Sequence, residues 1–160
     1  MRYVIRQKIF SIRDRFFIND EMENDLYIVN SQLSSFGKKL RIFDLQDNEL
    51  CRIEQQLLRI MPEYCINISG GLVAKVKKKF SFLRNDFNII SNNGEYSVSG
   101  DFLSYEFDIR KNNYMIGHVS KKFFSIADTY GVEIDEKEDQ LFVIALAIVI
   151  DMVCHNGKNS

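Results

Sequence analysis

The end of the chain constrains the fold more than any other feature. Residues 141–154 read LFVIALAIVIDMVC, an apolar run that is broken only by Asp151. Leaving the side chains of residues 141–150 in water would cost roughly 15–30 kcal/mol, at about 1.5–3 kcal/mol for each side chain. Since a whole domain is stable by only about 5–15 kcal/mol, protein or lipid must cover this run.

A central helix is the structure that this run predicts. A helix that is apolar on every side belongs in a core or in a membrane, and at about 1.5 Å per residue the run spans about 21 Å, short of a hydrocarbon layer of about 30 Å. We therefore predict no transmembrane span, and a helix over roughly residues 136–155 that β-structure surrounds. Asp135 and Glu138 form a capping-box pattern at its start, and Asn156 with Gly157 marks its end.

The preceding sequence predicts strands over roughly residues 2–134. Short β-prone runs alternate apolar and polar residues and are separated by turn formers such as SNNGE, which is the spacing of hairpins in a sandwich or barrel. Residues 73–80 align with residues 116–123, and each copy follows a strand that begins with tyrosine. A repeated hairpin favours a barrel, because closure removes exposed strand edges. With 160 residues, the whole chain, 1–160, is expected to form one domain.

Charge and cysteine usage narrow the class of protein. The net charge of −1 argues against nucleic acid as a partner, because nucleic-acid modules are basic overall or carry a concentrated basic stripe. Cys51, Cys65 and Cys154 are odd in number and widely spaced, which predicts buried, reduced and chemically inert thiols in a cytosolic protein. The first residues, MRYVIRQKIF, lack the continuous apolar stretch of a secretion signal. We therefore expect a cytoplasmic protein.

Lysines in the repeated hairpin are the best candidates for a binding site. On a strand, Lys75, Lys77 and Lys79 share one face, and Lys121 and Lys122 lie in the second copy. Such a face could hold a phosphate head group of an anionic lipid at a membrane surface, or an acidic protein. The alternative is that these lysines keep a barrel edge soluble and discourage strand addition.

Other charged residues fall among apolar neighbours. Lys78 and Lys121 are in phase with the apolar positions of their strands, so we predict a bulge that turns them outward, because a buried ammonium is costly. Asp151 is predicted to be a structural acid near the mouth of the barrel, paired with lysine, arginine or backbone N–H groups.

Metal and catalytic motifs are missing from the sequence. An acidic stretch precedes the helix, but it lacks the spacing of an EF-hand loop, and helix capping explains its carboxyl end. His118 and His155 have no zinc-motif pattern around them, and no nucleophile elbow, phosphate-binding loop or dinucleotide fingerprint is present. We therefore predict no metal, no cofactor and no enzymatic activity. The residues of the acidic stretch are Asp128, Glu133, Asp135, Glu136 and Asp139.

The segments that carry a family resemblance are GKKLRIFD at residues 37–44, LLRIMPEY at 57–64, VAKVKKKF at 73–80, VSKK at 119–122 and DTYGVEI at 128–134. Together they resemble the LURP-one-related family, which is similar in fold to the tubby carboxy-terminal domain and to the phospholipid scramblases. The resemblance covers nearly the whole chain and is that of a compact bacterial-type member. The proline-rich and cysteine-rich segments of scramblases are absent.

The resemblance implies a mainly β fold, a closed antiparallel barrel of about twelve strands around a central hydrophobic carboxy-terminal helix. Among these proteins, tubby domains bind phosphoinositides, scramblases are linked to calcium-dependent lipid movement, and plant LURP-one relatives are associated with defence. We therefore expect a non-enzymatic protein that binds an anionic ligand, a phospholipid head group or a membrane surface. The alternative is a protein-interaction or structural adaptor with no small ligand.

Overall fold

The strands and the helix follow the predicted order along the chain. A computed structural model describes residues 1–6, 13–34, 36–80, 86–122 and 129–155. In the described part of the chain, twelve strands are followed by one helix, as the sequence predicts. The elements are β1 Arg2–Arg6, β2 Arg13–Asn19, β3 Asp25–Ser34, β4 Gly37–Phe43, β5 Glu49–Gln55, β6 Glu63–Ile68, β7 Gly71–Lys78, β8 Phe87–Ser91, β9 Tyr96–Asp101, β10 Glu106–Lys111, β11 Tyr114–Ser120, β12 Thr129–Ile134 and α1 Gln140–His155.

The strands form one antiparallel sheet that curls into an almost closed barrel. The 12-stranded sheet of the described residues has the order β8-β7-β6-β5-β4-β3-β2-β1-β12-β11-β10-β9. The first and last strands of the chain pair with each other, from Arg2 opposite Glu133 to Arg6 opposite Thr129. The two edge strands, β8 and β9, contact each other. The predicted barrel of about twelve antiparallel strands is therefore confirmed.

The helix occupies the interior of the barrel. Every side chain from Ile144 to Ile150 is 0 % exposed, which confirms the prediction that β-structure covers the apolar run. The helix begins at Gln140 and not at about residue 136. The reason is that Asp139 is the residue that caps it, through a hydrogen bond from the Phe142 N–H to its carboxylate at 3.0 Å, whereas Asp135 caps the preceding turn. Among the described residues, no helix is long and apolar enough to cross a membrane.

The barrel has two chemically different ends. Because consecutive strands run in opposite directions, all odd-numbered strands finish at one end. That end, called the lysine end below, carries residues 36, 56–62, 79–80, 86, 102–105 and 121–122 of the connecting segments and the last turn of α1. The opposite end, called the acidic end, carries residues 20–24, 44–48, 69–70, 92–95, 112–113 and 135–139 and the first turn of α1.

The two copies of the repeated hairpin put small residues against the helix. Ala74 is buried on β7, and at the aligned position on β11 a Cβ on Gly117 would lie 3.1 Å from Cγ1 of Val143. The prediction of a bulge at Lys78 and Lys121 is wrong, because the register shifts of these hairpins fall between residues 66 and 67 and between residues 109 and 110. Lys78 is the last residue of β7 and Lys121 follows the last residue of β11, so neither lysine lies in the interior of a strand, where a bulge would be needed to turn it outward.

Candidate functional site

A concave, basic site lies on the outer face of β2, β3 and β4. Antiparallel pairing places Asn30 of β3 between Arg15 of β2 and Arg41 of β4, and Gln32 lies opposite Lys39. The side chains surround a cavity of about 360 Å³ that we call the basic groove. Its lining residues are Arg15, Asn30, Ser31, Gln32, Lys39, Arg41 and Phe43.

The electrostatics of the basic groove favour an anion. None of the described lining residues is acidic. Carboxylates just outside the basic groove form ion pairs with the arginine and lysine side chains that line it. These pairs are half-exposed, so each contributes little and an anionic ligand can compete with it. Guanidinium groups donate in a planar fork that matches phosphate and carboxylate oxygens. The border pairs are Arg15–Asp47 at 3.5 Å, Lys39–Glu54 at 3.5 Å and Arg41–Glu49 at 3.8 Å.

The structure does not gather the lysines proposed from sequence into one site. Lys75 and Lys77 are exposed on the outer face of β7, and Lys79 follows the end of that strand. In the second hairpin, Lys121 lies at the lysine end, and the Lys122 Nζ is 3.6 Å from Oε2 of Glu106 on β10. The described lysines thus form two groups, separated by β8, β9 and β10.

A buried polar cluster closes the interior at the lysine end. Asp151 is 2 % exposed, and the Tyr105 hydroxyl donates to its Oδ1 at 2.7 Å. The His155 Nδ1 lies 3.0 Å from the same oxygen, and its Nε2 lies 3.2 Å from the Leu103 carbonyl oxygen. Tyr105 stacks on the His155 ring with centroids 4.0 Å apart, and the Lys121 Nζ lies 4.6 Å from the Tyr105 centroid. The predicted acid at the barrel mouth is present, but the prediction that lysine, arginine or backbone N–H groups pair with it is wrong, because its described partners are Tyr105 and His155.

The pKa values of Asp151 and His155 in this cluster are both raised, for different reasons. Burial raises the pKa of Asp151, and hydrogen bonds from His155 and Tyr105 reduce that rise without cancelling it. Burial lowers the pKa of His155, but hydrogen bonds to Asp151 and to Leu103 outweigh it, so the pKa is raised overall. Tyr130 faces the same carboxylate, although its hydroxyl lacks good hydrogen-bond geometry, and burial raises its pKa. Tyr130 is 0 % and Asp151 2 % exposed, so these two side chains are closed to a substrate.

A second polar network lies on the outer face of β10 and β11. The His118 Nδ1 is 2.8 Å from Oδ1 of Asp108, and its Nε2 is 3.2 Å from Oε1 of Glu106. The Ser120 hydroxyl donates to Oε2 of Glu106 at 2.9 Å. A hydrolase relay needs serine to donate to histidine, whereas here serine donates to glutamate. The network therefore links two surface strands and does not form such a relay.

In the described part of the chain, the acidic stretch forms no metal site and the cysteines are free thiols. Within the described ranges, no three histidine, cysteine, aspartate or glutamate side chains are grouped closely enough to hold a metal ion, and Asp128 lies outside those ranges. Cys51 and Cys65 are buried and Cys154 is half-buried, all as free thiols. Burial raises the pKa of Cys51 and of Cys154 to about 12 and raises that of Cys65. Such thiols form little of the reactive thiolate.

Sequence reasoning missed the basic groove, although the signal for it was present. Arg41 lies two residues after Lys39, so these two cations share one strand face. Asn30 repeats this spacing with Gln32. What the sequence did not supply was the register that brings the three strand faces together.

These elements define a β-barrel protein with a buried central helix and an outer basic groove. The family model described as LURP-one-related matches residues 1–151. The uncharacterized protein YxjI of Bacillus subtilis (strain 168) is 36% identical over 155 residues, which cover 97% of this chain and 94% of that protein. This chain therefore belongs to the LURP-one-related family.

A solved structure supports the fold. The X-ray structure of a protein from Arabidopsis thaliana superimposes with a TM-score of 0.69 and 15% sequence identity, covering 95% of this chain and 90% of that one. At this identity the similarity concerns the fold alone.

Proposed function

We propose that this protein is a non-enzymatic binding protein whose ligand carries a phosphate or a similar anionic group. The observation that carries the proposal is the basic groove, in which Arg15, Lys39 and Arg41 converge on one cavity of about 360 Å³. The shared chemistry of the ligand is its anion, which either a free phosphorylated metabolite or a phospholipid head group supplies.

The groove offers more than charge. Asn30 and Gln32 add amide donors between the cations, and Phe43 adds an apolar wall. Charge-assisted hydrogen bonds are about twice as strong as neutral ones, and a wall lets the ligand bury part of its carbon skeleton. The groove therefore fits an anion attached to a small organic group better than it fits a bare ion.

The lysines of β7 form a second, weaker anion surface in this proposal. Lys75, Lys77 and Lys79, with Lys121 and Lys122 at the lysine end, lie on exposed positions. Surface attraction to anionic lipid contributes about 1 kcal/mol for each basic residue near it. Three lysines would give about 3 kcal/mol, which corresponds to binding weaker than millimolar.

Isothermal titration of the full chain tests the groove with two soluble probes, inorganic pyrophosphate and inositol trisphosphate. The Arg15→Gln/Arg41→Gln variant should bind at least about tenfold more weakly, because a lost charge-assisted hydrogen bond costs about 1.5–3 kcal/mol and about 1.4 kcal/mol corresponds to tenfold. The matched control, Lys75→Gln/Lys77→Gln, removes the same charge from β7 and should change affinity less than twofold. Equal losses in both variants would move the site away from the groove, and no binding by the wild type would refute the proposal.

The second candidate function is a protein-interaction adaptor with no small ligand. The observation that favours it is the set of exposed apolar side chains at the lysine end, among them Leu58 at 104 % and Ile60 at 100 % exposure. An adaptor predicts that neither soluble probe binds and that variants of the groove have no phenotype.

A further inference from the structure

The β5–β6 connection holds apolar side chains fully in water at the lysine end. Leu58 is 104 % and Ile60 100 % exposed. The base of this connection is fixed, since the Gln56 N–H donates to the Glu63 carbonyl at 2.8 Å and the Lys78 N–H donates to the Pro62 carbonyl at 2.9 Å. The exposed side chains of Leu58 and Ile60 therefore project from a loop whose base is fixed by backbone hydrogen bonds.

The backbone conformation of Leu58 is unfavourable for leucine, and the stability of the fold does not explain why an exposed leucine occupies this position. Its φ is 57°, a left-handed conformation that is uncommon for residues other than glycine and asparagine. Glycine or asparagine would adopt this φ more easily, and the leucine side chain gains no burial in return. Strain of this kind, combined with an exposed apolar side chain, points to a role outside the folded chain.

Other connections at the lysine end repeat the pattern. Leu103, in the β9–β10 turn, is 57 % exposed, and Leu57 is 47 % exposed. Phe36 and Phe80, which belong to the β3–β4 and β7–β8 connections, are each 72 % exposed. These apolar tips thus come from separate segments around one end of the barrel.

The described connecting segments of the two ends differ in the sign of their charge. At the lysine end, the charged residues of the described connecting segments are basic, except for Asp86. At the acidic end, those of the described connecting segments are acidic, except for Lys137. The Lys122 side chain is 82 % exposed, and its Nζ lies 3.6 Å from Oε2 of Glu106, a partly exposed pair with which anionic head groups can compete. The basic residues are Arg59, Lys79, Lys121 and Lys122, and the acids are Asp20, Glu21, Glu23, Asp44, Asp47, Glu95, Asp135, Glu136, Glu138 and Asp139.

We propose that the lysine end docks on an anionic lipid bilayer, with Leu58, Ile60 and Leu103 entering the boundary between head groups and acyl chains. Basic residues attract anionic lipid, apolar side chains beside them anchor the protein, and the acidic end would be repelled, which orients the barrel. Leu58 and Ile60 flank Arg59 in the chain, so the apolar side chains that would enter the boundary stand beside a cation that anionic head groups attract, and this pattern favours lipid over protein. This docking surface is independent of the basic groove on the side of the barrel.

Co-sedimentation of the full chain with vesicles tests the docking surface. The vesicles contain phosphatidylserine and phosphatidylcholine, or phosphatidylcholine alone. The Leu58→Asn/Ile60→Asn variant should bind the anionic vesicles about tenfold more weakly, and its fold should persist because asparagine accepts a positive φ. The matched control is Met22→Asn, which removes a side chain that is 79 % exposed at the acidic end and should leave binding unchanged.

A fluorescence readout reports which end meets the lipid. The chain has no tryptophan, so Ile60→Trp and Met22→Trp each introduce a single reporter. Anionic vesicles should shift the emission of the Ile60→Trp variant to shorter wavelength and leave that of the Met22→Trp variant unchanged. Absence of vesicle binding by the wild type, equal binding by the Leu58→Asn/Ile60→Asn variant, or equal emission shifts at both ends would overturn the proposal and favour a protein partner for this surface. If the groove variants bind the soluble probes as well as the wild type does, the proposed groove function fails, but the vesicle-binding result still tests the docking surface.

Discussion

Replacement of Gly117 by valine should destabilise the protein through the contact between β11 and the helix. A Cβ at this position would lie 3.1 Å from Cγ1 of Val143, 3.5 Å from the Glu133 carbonyl oxygen and 3.6 Å from Cβ of Ile109. The effect is steric, because the backbone of Gly117 is outside the positive-φ region. Overpacking of a core costs about 1–3 kcal/mol. At about 2–4 °C for each kcal/mol in a domain of this size, the Tm of Gly117→Val should fall by roughly 2–12 °C.

Urea unfolding followed by circular dichroism would measure the effect, and a double-mutant cycle would assign it. Val143→Ala removes the atom that the new side chain meets, so the double variant Gly117→Val/Val143→Ala should recover about 1 kcal/mol relative to the sum of the single changes. Gly71→Ala is the matched control, because its nearest contact is the Ile68 carbonyl oxygen at 3.7 Å. The control should stay within about 0.5 kcal/mol of wild type.

Two outcomes of the cycle would refute this reasoning. Strictly additive effects of Gly117→Val and Val143→Ala would mean that the two residues do not meet in the folded protein. A stability of Gly117→Val equal to that of Gly71→Ala would mean that the helix leaves free space beside β11, so that the barrel does not enclose it tightly.

Further predictions concern the helix and its neighbours. Ala147→Phe should lower the free energy of unfolding by about 1–3 kcal/mol or more, because Ala147 is 0 % exposed; wild-type melting would contradict it. The raised pKa values of Asp151 and His155 mean that the native cluster holds more protons than the unfolded chain. Stability relative to Asp151→Asn should therefore be greater at pH 5 than at pH 8; urea titrations with the opposite sign would exclude this. Cys51 and Cys154 should label with a thiol reagent only after denaturation, and rapid native labelling would reopen a redox role.

The barrel and its helix could be predicted because local pattern decides them. Residues 141–150 are apolar on every side, and only burial from all sides satisfies such a segment. Alternation along the strands likewise separates a buried face from a wet one, as for Ile66 and Val76 on β6 and β7, which are 0 % exposed. These signals do not depend on which strands become neighbours.

The candidate sites could not be predicted in the same way. The basic groove depends on the registers that set Arg15, Asn30 and Arg41 side by side, and the sequence does not fix those registers. The Tyr105 hydroxyl bonds to Asp151 across 46 positions of sequence. The predicted start of the helix is too early, because Asp135 and Asp139 can both cap a helix and the structure uses the later one, Asp139.

Amide NMR of the full chain, titrated with inorganic pyrophosphate, maps where an anion binds. Binding in the basic groove predicts that the largest shifts fall on β2, β3 and β4 at Arg15, Asn30 and Arg41, and that they vanish in Arg15→Gln/Arg41→Gln. Smaller shifts on Lys75 and Lys77 would agree with the weaker surface of β7. No shifts at millimolar pyrophosphate, or shifts of equal size on β7 and the groove, would contradict the proposal that the groove is the anion site of this barrel.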